Sequence, residues 1–336
     1  MYASDEDTRL FLQFNLTVNV DGELHRIIGW AHPQLVFLTR DGRLNTFVDC
    51  TFKIVPIQFY QCMIVMIYHR LTGLYIPVFY VLLQGKQEND YYHAVQMVIC
   101  ACDWKFEWAS VTCDYEKALQ NALKLQAKDA KFIGCKFHIK QALEKQGRQV
   151  FKLPKDDLHK LLGPDGYIEL LFIVPVEEIR MAIVYVRQKM DESKHPIVWA
   201  NFWKYFEKTW LERYDPNDWN LCNINSLPRA EREEAFINKT NNPLERFNRE
   251  LNHRFPNAHP NMAAFVTTIR AISNEYVHEL DYIRQGRRPS VDRCVPDIKP
   301  IPSEYTGWRM AHLQAQAQDS AMPVIPVRMG RKRSID

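Results

Sequence analysis

The sequence lacks any apolar run near the roughly 20 residues that cross a bilayer, and residues 1–8 lack the basic and apolar regions of a secretory signal. It also lacks a strong charge of one sign, because 43 Lys and Arg balance 40 Asp and Glu. The formal net charge of +3 neither supports nor excludes a nucleic-acid partner, since phosphate binding depends on local clusters of basic residues. We therefore expect no membrane partner and a cytosolic or nuclear location.

Cys-x-x-Cys pairs are also absent among the 8 cysteines. Several cysteines, such as Cys50 and Cys62, lie inside apolar, strand-like runs. Cysteine in such surroundings usually behaves as a small buried apolar residue. Most of these side chains are therefore predicted to be buried thiols rather than disulfides.

The first organised part of the chain is predicted at residues 44–149, after a lead-in segment at residues 1–43. Three β-rich runs, LNTFVDCTF, QCMIVMIYH and YIPVFYVLLQ, are separated by short loops and predict an antiparallel meander. Alternating helix-like and strand-like stretches follow, including the strands WASVTCD and KFIGC. The order β-β-β-α-β-α-β-α predicts an α/β fold, with a mixed sheet and helices on its faces.

The rest of the chain has three predicted parts. Residues 150–238 lose the strand pattern and favour an all-helical insertion, whose aromatic residues should pack mostly in its own core; they include Trp199, Trp203, Trp210 and Trp219. An exposed Trp there would instead suit stacking on an unpaired base. Residues 239–285 should add two helices to the core, and residues 286–336 should form a proline-rich, partly disordered basic tail.

Two aspartates stand out by their place in the strand pattern. Asp49 lies among strand formers, where a carboxylate needs a partner or a metal ion unless it faces water on an edge strand. Asp114 closes the strand WASVTC and precedes a helix, so it is either a functional carboxylate or a helix N-cap.

A third carboxylate, Glu245, lies in the segment TNNPLERFNRELN. Its place near the helix start also suits a capping box, and an ion pair with Arg249 is a further alternative. Glu245, Asn248 and Asn252 nevertheless share one helix face beside an apolar stripe, so the helix could pack on the sheet and aim Glu245 at the strand ends. Asn248 and Asn252 would then support the site from the same face.

A ribonuclease-H-like arrangement of this meander would place the strand of Asp49 beside the strand that ends at Asp114. Adjacent carboxylates repel each other, and divalent metal ions with a preference for oxygen ligands, Mg²⁺ or Mn²⁺, relieve that repulsion. Two such ions support phosphoryl transfer, and a third carboxylate would complete the site.

The chain also resembles a known family, through fragments that occur in order over residues 27–251. These are VDCTFKIVPIQFYQ, PVFYVLLQGKQENDY, VTCDYEKALQNAL, GCKFH and TNNPLERFNRELN, with IIGWAHP upstream and WLERYDPNDWN in the insertion. Together they are similar to the transposases of Mutator-like elements (MULE). The resemblance implies a ribonuclease-H-like DDE transposase core with a helical insertion ahead of the last acidic residue.

The resemblance also implies function. The family's three acids fall on Asp49, Asp114 and Glu245, which would hold two divalent ions, Mg²⁺ or Mn²⁺, for cleavage and strand transfer of DNA. Its Cys-x-x-His signature falls on Cys135 and His138, with a structural, DNA-positioning or metal-binding role left open. Such an enzyme is expected to act in the nucleus as a homo-oligomer on transposon ends and target DNA.

Two departures from the family pattern favour an alternative function. Cys50 stands where the family usually has Gly, and nothing before Ile27 suits the zinc-binding recognition module of full-length members. The alternative is a truncated or domesticated DNA-binding scaffold without catalytic activity. The cluster VRMGRKRS near the end of the chain could be a nuclear-localisation signal, a phosphate contact or a solvated tail; its basic residues are Arg328, Arg331, Lys332 and Arg333.

Overall fold

The computed structural model describes residues 1–222, 242–291 and 299–321. Its sheet has seven strands: β1 (Leu12–Val20), β2 (Glu23–Ala31), β3 (Leu44–Thr51), β4 (Gln61–His69), β5 (Leu74–Leu83), β6 (Trp108–Cys113) and β7 (Lys131–Gly134). The α-helices are α1 (Pro33–Phe37), α2 (Glu88–Ala101), α3 (Lys117–Gln126), α4 (Lys136–Lys145), α5 (Lys155–Leu162), α6 (Glu169–Ile173), α7 (Ile179–Met190), α8 (Pro196–Phe206), α9 (Pro216–Trp219), α10 (Asn242–His253), α11 (Met262–Arg284) and α12 (Ser303–Ala321). None of the helices in these ranges is long and apolar enough to span a membrane.

The sheet is mixed, in the order β1-β2-β5-β4-β3-β6-β7. Strands β3, β4 and β5 form the predicted antiparallel meander, and β6 and β7 continue the sheet parallel to β3. The predicted α/β fold with a mixed sheet is thus confirmed. The expected adjacency of the Asp49 and Asp114 strands is confirmed too, because β3 pairs directly with β6.

The N-terminal segment corrects the expectation of a lead-in at residues 1–43. Strands β1 and β2 form a hairpin, and β2 pairs with β5, so two strands extend the sheet beyond the predicted meander. The hairpin turn has positive φ at Asp21 and Gly22, which suits a two-residue connection between antiparallel strands. The last five residues of β2, IIGWA, are buried because both faces of the sheet are covered there.

Each face of the sheet carries its own apolar core. In β4, Met63 and Val65 join the cluster that includes residues of α2 and α3, whereas Ile64 and Met66 join the cluster that includes residues of α10 and α11. Successive residues of a strand point to opposite faces, so a strand covered on both sides becomes continuously apolar. All nine residues of β4 are buried accordingly.

The predicted insertion at residues 150–238 is helical as far as residue 222, and no strand occurs in that described part. Its core is separate from those of the sheet and includes the four named tryptophans, each no more than 2% exposed: Trp199, Trp203, Trp210 and Trp219. The expectation of an aromatic core is confirmed for these four side chains, and none of them is free to stack on a base. The remaining residues, 223–238, lie outside the described ranges.

The tail is more ordered than expected at residues 303–321, where α12 forms. Tyr305 is buried, and both it and Trp308 lie against the ring of Tyr185 on α7. Arg309 adds an ion pair with Glu178 at 2.7 Å. The proline-rich composition of the tail thus gave no indication of this helix, which packs against the insertion through aromatic contacts. The basic cluster at residues 328–333 lies outside the described residues.

Candidate functional site

Asp49 lies near the end of β3, an interior strand of the sheet. Its Oδ1 accepts a hydrogen bond from the backbone N–H of Cys50 at 2.9 Å, and its Oδ2 accepts one from the side-chain amide of Asn248 at 3.0 Å. The edge-strand interpretation of Asp49 is therefore wrong, since β3 is paired on both sides. The carboxylate is held in one orientation by two donors.

Asp114 follows the last residue of β6 and occupies the position that corresponds to Asp49 on the neighbouring strand. Val48 pairs with Cys113 in parallel register, so the next residue on each strand emerges at the same end of the sheet. Helix α3 begins at Lys117 with Glu116 as its N-cap residue, so Asp114 is not the N-cap. Its side chain is 42% exposed, and its Oδ1 accepts a hydrogen bond from the backbone N–H of Tyr115.

Glu245 reaches the same end of the sheet from helix α10. The apolar stripe of that helix is buried on the sheet through Leu244, Phe247 and Leu251. This packing turns the Glu245 face toward the strand ends, where Asn248, about one turn further along, donates to Asp49. The helix placement inferred from the apolar stripe is therefore confirmed.

His138 lies between two of the three acids. Its Nδ1 is 3.5 Å from Oδ1 of Asp114, and its Nε2 is 3.5 Å from Oε1 of Glu245. Cys135 is the N-cap residue of α4, and its Sγ donates to the same Oε1 of Glu245 at 3.8 Å. The Cys-x-x-His spacing places both side chains on the first turn of one helix. Because β7 ends at Gly134, directly before Cys135, this turn lies at the same end of the sheet as the acids.

The asparagines predicted to support the site behave differently from each other. Asn248 contacts Asp49 directly, whereas the structure records no hydrogen bond for the buried Oδ1 of Asn252 within the described residues. The Oδ1 of Asn248 is likewise buried without a hydrogen bond there. Only Asn248 is thus linked to the acids.

The electrostatics of the cluster reflect its burial. Burial is the main cause that raises the pKa of Asp49 to about 7; Asp114 and Glu245 add to the effect, and His138 opposes it. Burial also raises the pKa of Glu245, and the charge of His138 again lowers it in part. Burial alone would lower the pKa of His138, but its hydrogen bond with Cys135 and the carboxylates of Asp114 and Asp49 raise it to about 9. An imidazolium therefore partly balances the acids at neutral pH.

No family model matches the chain, and a comparison with curated proteins finds no match. Function must therefore be inferred from the chemistry of the site.

The donor atoms suit a divalent cation. Three carboxylates from separate parts of the chain converge at one end of the sheet, and two of them share a single imidazole as their cationic neighbour. Carboxylate oxygens are the ligands that Mg²⁺ and Mn²⁺ prefer, and burial strengthens their need for a counter-charge. The sequence singled out these three acids, and their role as metal ligands stays a prediction; the position of His138 between Asp114 and Glu245 had no signal beyond the Cys-x-x-His spacing.

A cleft of about 660 Å³ opens beside Asp114 and His138. Lys145, Arg148, Tyr115 and Trp210 are also among its lining residues. Tyr115 and Trp210 also contact each other edge to face at 4.8 Å, which couples the site to the core of the insertion. The cleft is thus lined by both signs of charge, and one of its two long cations, Arg148, is paired with Glu144 at 3.4 Å.

Proposed function

We propose that this chain is the catalytic core of a DNA transposase of the Mutator-like class, in which Asp49, Asp114 and Glu245 hold two divalent metal ions. The observation that carries the proposal is the convergence of these three acids from β3, the end of β6 and α10. Scattered structural acids would have no reason to meet at one sheet end. Three carboxylates gathered there are unfavourable unless a cation compensates them.

The topology supports a ribonuclease-H-like identity for the core. Strands β5-β4-β3-β6-β7 run as three antiparallel strands followed by two that are parallel to β3. The first acid lies on the central strand, the second follows its parallel neighbour, and the third lies on a helix that comes after the helical insertion. This order of elements is the one that the family resemblance implies.

Individual residues have separate parts in this proposal. Asp49, Asp114 and Glu245 would hold the ions, and Asn248 orients Asp49 through the 3.0 Å hydrogen bond. Two divalent ions supply activation of the attacking hydroxyl and stabilisation of the leaving oxygen in phosphoryl transfer. Lys145 and Arg148, which line the cleft, would contact the phosphates of a DNA strand and bring its backbone toward the acids.

The test is a nicking assay on supercoiled DNA with Mn²⁺ or Mg²⁺. Wild type should nick the DNA, whereas Asp49→Asn and Asp114→Asn should not, because each change removes a charged ligand and keeps the side-chain shape. Asp5→Asn serves as the matched control, since Asp5 is exposed and outside the cluster. Nicking that persists in EDTA, or in Asp49→Asn, would contradict the proposal. DNA binding by a wild type that cannot nick would favour the scaffold alternative.

A further inference from the structure

Cys135, His138 and Glu245 each offer a ligand atom, and these atoms lie within 4.8 Å of one another. A thiolate, an imidazole and a carboxylate form a donor set different from the three carboxylates. We infer that these residues form a zinc site, in which Sγ of Cys135, Nε2 of His138 and Oε1 of Glu245 are the ligands and water takes the fourth position.

The observed distances suit a tetrahedral ion. Bonds of about 2.3 Å to sulfur and about 2.0–2.2 Å to nitrogen and oxygen require ligand atoms roughly 3.3–3.7 Å apart. The Nε2 atom of His138 is 3.5 Å from Oε1 of Glu245, and Sγ of Cys135 is 3.8 Å from the same oxygen. The ligand atoms of Cys135 and His138 lie within 4.8 Å of each other, so shifts on the order of 1 Å would bring all three side chains to one ion.

The second nitrogen of His138 provides an independent indication. Its Nδ1 is buried and makes no hydrogen bond within the described residues. Oδ1 of Asp114 lies 3.5 Å from this nitrogen, just too far for a good hydrogen bond. Zinc-bound histidines usually donate their other ring N–H to a carboxylate, which fixes the ring and its tautomer. A small shift of Asp114 toward Nδ1 would complete that arrangement.

The ligand types select against the ions that the three acids would hold. Thiolate and imidazole ligands favour Zn²⁺, whereas Mg²⁺ prefers oxygen ligands. Cys135 is the N-cap residue of α4, three positions before His138, so the sulfur and nitrogen donors come from the same turn of the chain. The site should therefore bind Zn²⁺ or Co²⁺ and not Mg²⁺.

Glu245 belongs to both donor sets, so zinc would occupy one of the three proposed catalytic acids. Zn²⁺ should consequently compete with Mn²⁺-dependent nicking, a consequence that rests on the proposed function. Binding of zinc itself does not depend on that function.

The experiment uses the metal-free full chain and Co²⁺ as a spectroscopic probe. Wild type should develop a thiolate-to-cobalt charge-transfer band and the visible bands of tetrahedral cobalt, and Zn²⁺ should abolish both. Cys135→Ser should lose the charge-transfer band. Asp114→Asn should keep the band but bind Zn²⁺ about 10–100-fold more weakly, as expected when an outer-sphere partner is lost. Cys100→Ser, which alters a partly buried thiol on α2, is the matched control.

A wild-type spectrum without the charge-transfer band would overturn the inference, even if Cys135→Ser fails to fold. A band that persists in folded Cys135→Ser and disappears in Cys50→Ser would also overturn it, because the thiolate ligand would then be Cys50. The spectrum requires no DNA cleavage, so failure of this site and failure of the proposed function can be told apart.

Discussion

Replacing Asp49 by Asn should stabilise the metal-free protein while it abolishes nicking. Burial raises the pKa of Asp49 to about 7 from an ordinary value of 3.8, so the ionised form is disfavoured in the folded state. At about 1.4 kcal/mol per pKa unit, the penalty at high pH is at most about 4.5 kcal/mol. Because the side chain is only partly buried, we expect a gain of about 1–3 kcal/mol.

Hydrogen bonding should not cancel this gain. In the Asp49→Asn variant the side-chain amide oxygen can still accept from the backbone N–H of Cys50, which in wild type donates to Oδ1 of Asp49. Asn248 donates to the other oxygen, and its own Oδ1 lacks a hydrogen bond within the described residues. Rotating the Asn248 amide by half a turn would let that oxygen accept from the newly introduced amide group, so both contacts can be kept.

The pH dependence gives the sign of the effect. An acid whose folded-state pKa is raised costs nothing below its unfolded pKa of about 4; its penalty grows as pH rises from about 4 to about 7 and levels off at higher pH. The variant and wild type should therefore be equally stable near pH 4, and the variant should be more stable above pH 7. Millimolar Mn²⁺ should reduce or reverse the difference, because it stabilises only a folded state that can bind it.

The measurement is urea unfolding in EDTA from pH 4 to 8, with Asp5→Asn as the control that should not differ from wild type. A variant that is no more stable than wild type at pH 8 would refute the burial argument. An equal response of both proteins to Mn²⁺ would refute the assignment of Asp49 as a metal ligand.

Three further changes test other parts of the chain. Trp199→Ala should destabilise by about 3–5 kcal/mol in urea unfolding, because it removes a fully buried ring from the core of the insertion; a selective loss of DNA binding without loss of stability would contradict this. Gly29→Ala should cost about 1–3 kcal/mol, since its new Cβ would lie 2.1 Å from the ring of Phe14, and trimming that ring with Phe14→Leu should relieve the cost; a neutral Gly29→Ala would exclude the steric explanation. Deleting residues 328–336 should reduce nuclear entry of a fluorescent fusion if the basic cluster is an import signal, and unchanged entry would remove that role.

Local patterns were sufficient to predict much of the core. The β-β-β-α-β-α-β-α order follows from changes in apolar periodicity and from short polar loops, which depend on neighbouring residues alone. The same patterns located Asp49 inside a strand, Asp114 at a strand end and Glu245 on an amphipathic helix. The lead-in assigned to residues 1–43 missed β1 and β2, although LQFNLTVNV in β1 alternates apolar and polar residues as a half-buried strand does. The pairing of β2 with β5, by contrast, joins residues far apart in the chain and has no local signal.

The sequence by itself determined which residues have the chemistry of a metal site, because carboxylates, Cys135 and His138 are identifiable from residue type and spacing. Only the tertiary structure decided which of them meet. The parallel register of Val48 with Cys113 aligns two acids, and the contact of Asn248 with Asp49 joins residues 199 positions apart. Such contacts depend on strand pairing and on the packing of α10 against the sheet, and neither register nor long-range packing is encoded in any short segment. For the same reason, the position of His138 between Asp114 and Glu245 became evident only from the folded chain.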